Sequence, residues 1–155
     1  MSDYQSLLND ATNAIEWLEC EDDFQRRRIL YAAIMGLLNS ISDVLDRDPS
    51  TDVRKFIQDA RLRWKSESQN AGFNWFYDFI RPERNRVIHE GAQSHSDENP
   101  IFLSVVDCGV TVCFNESFSD IYWPTSLEGF DGQDVRDVLN KALDWWREEL
   151  TAITT

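Results

Sequence analysis

Residues 73–91 read FNWFYDFIRPERNRVIHEG. Phe73, Phe76, Ile80, Val87 and Ile88 fall on one side of a helix wound at about 100° per residue, the sector that would face a core, with Phe79 at its edge. Arg84 lies inside that sector, between Ile80 and Ile88, where a guanidinium is costly unless it is paired or lines a groove. Asp78, Arg81, Asn85 and His89 form a polar stripe on the opposite side, and Asn85 and His89 are four apart. Pro82 interrupts the pattern, because its ring collides with the carbonyl of Asp78 unless the helix kinks there or begins anew with Pro82 in its first turn. Either outcome re-aims Arg84. Gly91 is placed to end the helix, which leaves His89 in its last turn, where the negative helix end favours imidazolium.

Working back from this stretch, apolar residues at helical spacing define three further helices. Leu7, Leu8, Ala11, Ile15 and Leu18 mark the first, over about Tyr4 to Glu19. Leu30, Ala33, Ile34, Leu37, Leu38, Ile41, Val44 and Leu45 mark the second, which reads as the central core helix. Asp48-Pro49-Ser50-Thr51 stops it and supplies a cap for a third helix from about Asp52 to Ser68. There Val53, Phe56, Ile57, Ala60 and Trp64 point inward and the basic residues outward.

Working forward, GAQSHSDENP (residues 91–100) is loop by composition. The period then changes to short β-branched runs, Ile101–Val106 and Val110–Phe114, with Asp107-Cys108-Gly109 between them as a hairpin signal. Ile121–Trp123 reads as a short third strand. A last helix runs over about residues 133–153, with Val135, Val138, Leu139, Ala142, Leu143, Trp146 and Leu150 as its stripe and Asp144, Glu148 and Glu149 as a charged face. Of the adjacent Trp145 and Trp146, one belongs in the core. The fold class expected is mainly α: an up-and-down bundle of four to five helices in a single domain, residues 1–155. It has a four-helix core at 4–91, a small β-hairpin inserted at 100–123 and a C-terminal helix at 133–153.

Composition narrows the function classes. No apolar run approaches the roughly 18–20 residues of a membrane span, and the acidic N-terminus lacks the features of a signal peptide, so no membrane partner and a cytoplasmic location are expected. Three cysteines without CxxC spacing and only His89 and His95 as imidazoles argue against a disulfide framework or a metal site, and no cofactor is expected. The net charge of −13 opposes nonspecific nucleic-acid binding. It is unevenly spread, however. Residues 54–86 carry eight bases against four acids, a net of +4 that leaves −17 for the rest.

Arg84-Asn85-Arg86-Val87-Ile88-His89, near a helix end and preceded by the aromatic-rich WFYDFIRPE, resembles the signature of HEPN domains: an Arg, a polar residue such as Asn, then a His four to six residues after the Arg. The resemblance covers about residues 4–91. It implies a metal-independent endoribonuclease, commonly a homodimer whose two motifs meet at the interface, with an antitoxin or other protein as a further partner and a role as a toxin or defence component. On that implication His89 is the general acid or base, Arg84 holds the scissile phosphate, Asn85 orients His89 or the phosphate, and Arg81 and Arg86 contact flanking RNA backbone. Some members carry a Tyr two residues after the His; here that position is Gly91.

Two readings stand against catalysis. Many HEPN-like domains are noncatalytic binding or regulatory modules for a protein or small ligand, which suits the acidic surface. Alternatively, Arg84 pairs with an acidic residue of a neighbouring helix and His89 is a helix-end residue. In an ideal helix Arg84 and His89 also diverge by about 140°. They converge only through the long Arg side chain, a helix distortion, or a second subunit.

Overall fold

The structure is a computed structural model that describes residues 3–89, 104–105, 110–111, 130 and 133–154. It is mainly helical, and among the described residues the elements are α1 (Asp3–Glu19), α2 (Phe24–Asp46), α3 (Thr51–Asn70), a π-helical segment (Trp75–Ile80), α4 (Arg81–His89) and α5 (Val135–Thr154). Ser104–Val105 (β1) pairs antiparallel with Val110–Thr111 (β2) over two residues each. That ladder is too short to support the expected hairpin insertion. The rest of 100–123, including the strand read at Ile121–Trp123, lies outside the described residues.

Helix α2 is the hub. Asp23 caps it, its carboxylate accepting from the Arg26 amide at 2.8 Å, and α1, α3 and α4 pack around it. Its buried apolar positions are Tyr31, Ile34, Met35, Leu38, Ile41 and Leu45, with Arg27 and Ser42 as buried polar ones, a pattern that keeps one broad face inward. The face read from sequence is therefore offset: Ala33 is exposed and Leu30 and Leu37 are half-buried, whereas Tyr31 and Met35 are fully enclosed. The segment Gln25–Asp46 is also long and apolar enough, by length and composition, to cross a membrane. In this fold its inward face from Tyr31 to Leu45 is covered by the neighbouring helices, while Ile29 and Ala33 are exposed.

Helix α3 begins after Ser50, whose amide donates to Asp48 Oδ1 at 2.8 Å. It buries Ile57, Ala60 and Trp64. Its basic residues are not all a solvated face. Arg61 reaches back to α2, donating to Ser42 Oγ at 2.9 Å, to the Ser42 carbonyl at 3.1 Å and to Asp46 Oδ2 at 3.0 Å. Arg63 pairs with Glu149 of α5.

After α3 the chain reverses at Gly72, whose φ of +83° is the left-handed region where glycine has no Cβ penalty. Asn74, 3% exposed, then caps the π-helical segment. Its Oδ1 accepts from the amides of Phe76 at 2.9 Å and Tyr77 at 3.2 Å, and its Nδ2 donates to Glu67 at 2.8 Å. Asp78 completes this corner by accepting from the Asn74 amide at 2.6 Å and the Ser68 hydroxyl at 2.8 Å.

The corner sets the aromatic core. Trp64 stacks at centroid distances of 5.4, 5.0 and 5.5 Å against Phe76, Trp145 and Trp146. Phe130 lies within 5.3–5.6 Å of Phe73, Trp75 and Phe79. Trp146 is fully buried and Trp145 half-buried, so α5 closes the bundle over this cluster. Polar ties to α1 accompany it, from Asn140 to Glu19 at 2.9 Å and from Arg147 to Thr12 at 3.3 Å.

Candidate functional site

At Pro82 the chain passes from a π-helical turn into α4 without leaving helical backbone, Arg81 at the join having φ −68° and ψ −48°. The Arg81 amide donates to the carbonyl of Phe76, five residues back, and α4 begins at Arg81 with Pro82 in its first turn, where its missing N–H is not needed. The wider turn comes before the proline, and π turns of this kind commonly mark functional sites.

The wider turn changes which side chains face inward. Phe76, Phe79, Ile80 and Val87 are buried as their spacing requires, but Phe73 precedes the cap and is 39% exposed. Arg84 does not occupy the core sector; Glu83 does, at 2% exposure. The Tyr31 hydroxyl donates to Glu83 Oε1 at 2.7 Å. Arg86 approaches the same carboxylate side-on, with Nε 3.0 Å from Oε2 and Nη2 3.3 Å from Oε1. A buried carboxylate paired in this way locks α4 to α2. Sequence reasoning passed over it, although Glu83 lies three residues after Ile80 and four before Val87, the spacing of the buried face itself.

Arg84 instead opens onto a cavity of about 530 Å³, lined by Asn39 and Asp43 of α2, Arg61 of α3, Phe76 and Tyr77 of the π segment, and Arg81, Arg84 and Asn85. This is within the range of small-ligand sites. Arg84 Nη1 donates to Asn85 Oδ1 at 3.0 Å, and the Arg81 guanidinium carbon lies 5.9 Å from the Tyr77 ring centroid. Among the described residues neither Arg81 nor Arg84 forms an ion pair with a carboxylate. Arg61 differs, being held by Asp46 at 3.0 Å and more loosely by Asp43 at 3.5 Å. The cavity lining thus includes two guanidiniums without a carboxylate partner among the described residues and a third that is held by carboxylates, an arrangement receptive to anions.

Of the sequence-derived candidates, Arg81, Arg84 and Asn85 line one cavity, and Arg86 turns away to Glu83. His89 is the last residue of α4; its side chain lies outside the described residues, as do His95 and Gly91. Both Arg84 and His89 follow Pro82 in a continuous α-helical stretch. The proline therefore does not draw them together, and their directions from the helix axis remain about 140° apart. Among the described residues no group of three or more His, Cys, Asp or Glu is arranged to hold a metal ion, and Cys20 is an exposed free thiol.

One titration stands out elsewhere. Burial pushes the Glu149 carboxyl above the usual carboxylate range, more than the Trp64 indole and the Arg63 guanidinium pull it down. The charged face read on the last helix is thus partly inside the bundle. Comparison with known proteins gives no match: no family model, no curated protein and no solved structure is significantly similar to this chain.

Proposed function

We propose that this chain is a HEPN-type, metal-independent endoribonuclease acting as a homodimer in the cytoplasm, in the setting of a toxin or defence component restrained by an antitoxin or other protein. The observation that carries the reading is the pairing of Arg81 and Arg84, free of carboxylate partners among the described residues, with Asn85 in one cavity beside the motif helix. A phosphodiester there meets two guanidiniums, which favour charge building on the phosphorane-like transition state. In the reaction the ribose 2′-hydroxyl attacks phosphorus, the bond to the 5′-oxygen breaks, and a 2′,3′-cyclic phosphate and a 5′-hydroxyl result. His89 moves the proton. Because α4 carries Arg84 and His89 on diverging sides, the His that serves one cavity is supplied by a second copy of the chain. Arg81 meets flanking backbone, while Arg86 serves α4 through Glu83.

The test is incubation of mixed-sequence RNA with purified protein in EDTA. Wild type cleaves, and Arg84→Ala and His89→Ala each lose roughly 100-fold or more. Cleavage that survives both substitutions refutes the site. A second reading, a noncatalytic binding module, is favoured by the net charge of −13 and by the carboxylate of Asp43 in the cavity wall. Retained nucleotide binding without cleavage of any RNA selects it.

A further inference from the structure

Not all of the cavity lining suits a phosphate. Asp43 and Asn39 line it together with Arg81 and Arg84, and the two are four residues apart on α2 and so on one helical face. A carboxylate beside a phosphate site is unfavourable unless it faces a proton donor. Arg61 is not that donor in full, since its strong bonds go to Ser42 and Asp46 and its distance to Asp43 is 3.5 Å. An ionised carboxylate offers about four acceptor positions. Among the described residues, that one long contact is all Asp43 engages.

Resting on the ribonuclease reading, we propose that Asp43, with Asn39, selects the base at the scissile nucleotide and favours guanine, the base with two adjacent N–H donors on its Watson–Crick edge. The phosphate sits on Arg81 and Arg84 and the base reaches α2. Asp43 accepts from the N1–H and the exocyclic amine of guanine. Asn39, which both donates and accepts, bonds an adjoining base edge. The other three bases fit less well. Cytosine and adenine each offer one amine beside a ring-nitrogen acceptor, and uracil offers one N–H between two carbonyl oxygens.

The experiment measures binding of four pentaribonucleotides, AACAA, AAGAA, AAUAA and AAAAA, to full-length His89→Ala protein by fluorescence anisotropy. Asp43→Asn is compared in the same background, and circular dichroism and melting serve as folding controls. The protein with Asp43 intact prefers the G oligomer about tenfold, the scale of one good base contact. Asp43→Asn weakens G binding while strengthening A, C and U, whose paired donor and acceptor match an amide. That crossover separates base reading from mere relief of charge repulsion, which raises all four alike. Equal binding of the four by the parent, or a uniform rise in Asp43→Asn, overturns the proposal. Cleavage by the wild-type protein with no base preference overturns base selection and leaves the ribonuclease reading intact. Absence of both binding and cleavage overturns both.

Discussion

Replacing Glu83 with alanine removes the acceptor shared by α2 and α4. In the native protein this carboxylate is 2% exposed, accepts from the Tyr31 hydroxyl at 2.7 Å and from Arg86 Nη2 at 3.3 Å, and lies 3.0 Å from Arg86 Nε. The substitution leaves a fully enclosed tyrosine short of its charged acceptor, which costs about 1.5–3 kcal/mol for a hydrogen bond to a charged group. It also strips a partner from Arg86, whose side chain is 32% exposed. Breaking a wholly buried pair costs about 3–5 kcal/mol. Arg86 can recover part of that by turning to water, so a total of roughly 3–4 kcal/mol is expected. For a chain of this size each kcal/mol lowers Tm by about 2–4 °C, giving a fall of roughly 6–16 °C in a thermal melt. Tyr31→Phe should cost about half as much, since Glu83 keeps Arg86. A double-mutant cycle in urea should show the two changes coupled by about 1 kcal/mol or more. A Glu83→Ala melt within about 2 °C of wild type, or additive effects in the cycle, would refute the assignment of this carboxylate as the lock between the helices.

The same geometry sets two more expected outcomes. Glu149 has a raised pKa because burial penalises its charged form, so its favourable contribution is present at low pH and is lost as pH rises through the folded-state value. Glu149→Gln, which resembles the protonated acid, should therefore gain stability relative to wild type between about pH 4 and pH 7; a difference in Tm that shrinks or stays flat over that range contradicts it. Asn74→Ala should lower stability by about 1–2 kcal/mol in urea, since two amides and the Glu67 carboxylate lose their partner at a helix start, and an unchanged midpoint would count against the capping role.

Helical periodicity was legible in α1, α2, α3 and α5. Each of these carries an apolar stripe at intervals of three and four, and the Asp23 and Ser50 caps fall where carboxylate or hydroxyl residues precede such a stripe. The orientation of α2 was less so. Surrounded by three neighbours, it can bury several adjacent columns, and Leu30, Ala33 and Leu37 look as apolar as Tyr31 and Met35 until the packing chooses between them. Arg84 was placed in the core by extending one uniform winding from Phe73. That extension fails twice, because Phe73 precedes the cap and because the chain between Trp75 and Ile80 winds more widely than an α-helix. At the site, Arg81, Arg84 and Asn85 were visible as a cluster of chemistry, but their meeting with Asn39, Asp43 and Arg61 depends on helices distant in the chain. No local spacing encodes that. Glu83 was legible in principle and was passed over because a carboxylate is expected outside; its neighbours at intervals of three and four were the available signal.

The turn between Trp75 and Ile80 is also a statement about chain length. A helix that closes its hydrogen bonds across five residues instead of four holds one residue more than the same stretch wound as α, so this segment is in effect an insertion recorded in the backbone. A related chain with an ordinary helix here should be one residue shorter between its capping asparagine and its arginine. Sequences compared across this point need a gap inside an otherwise continuous helix, at the spot where the aromatic half and the arginine half of residues 73–91 join.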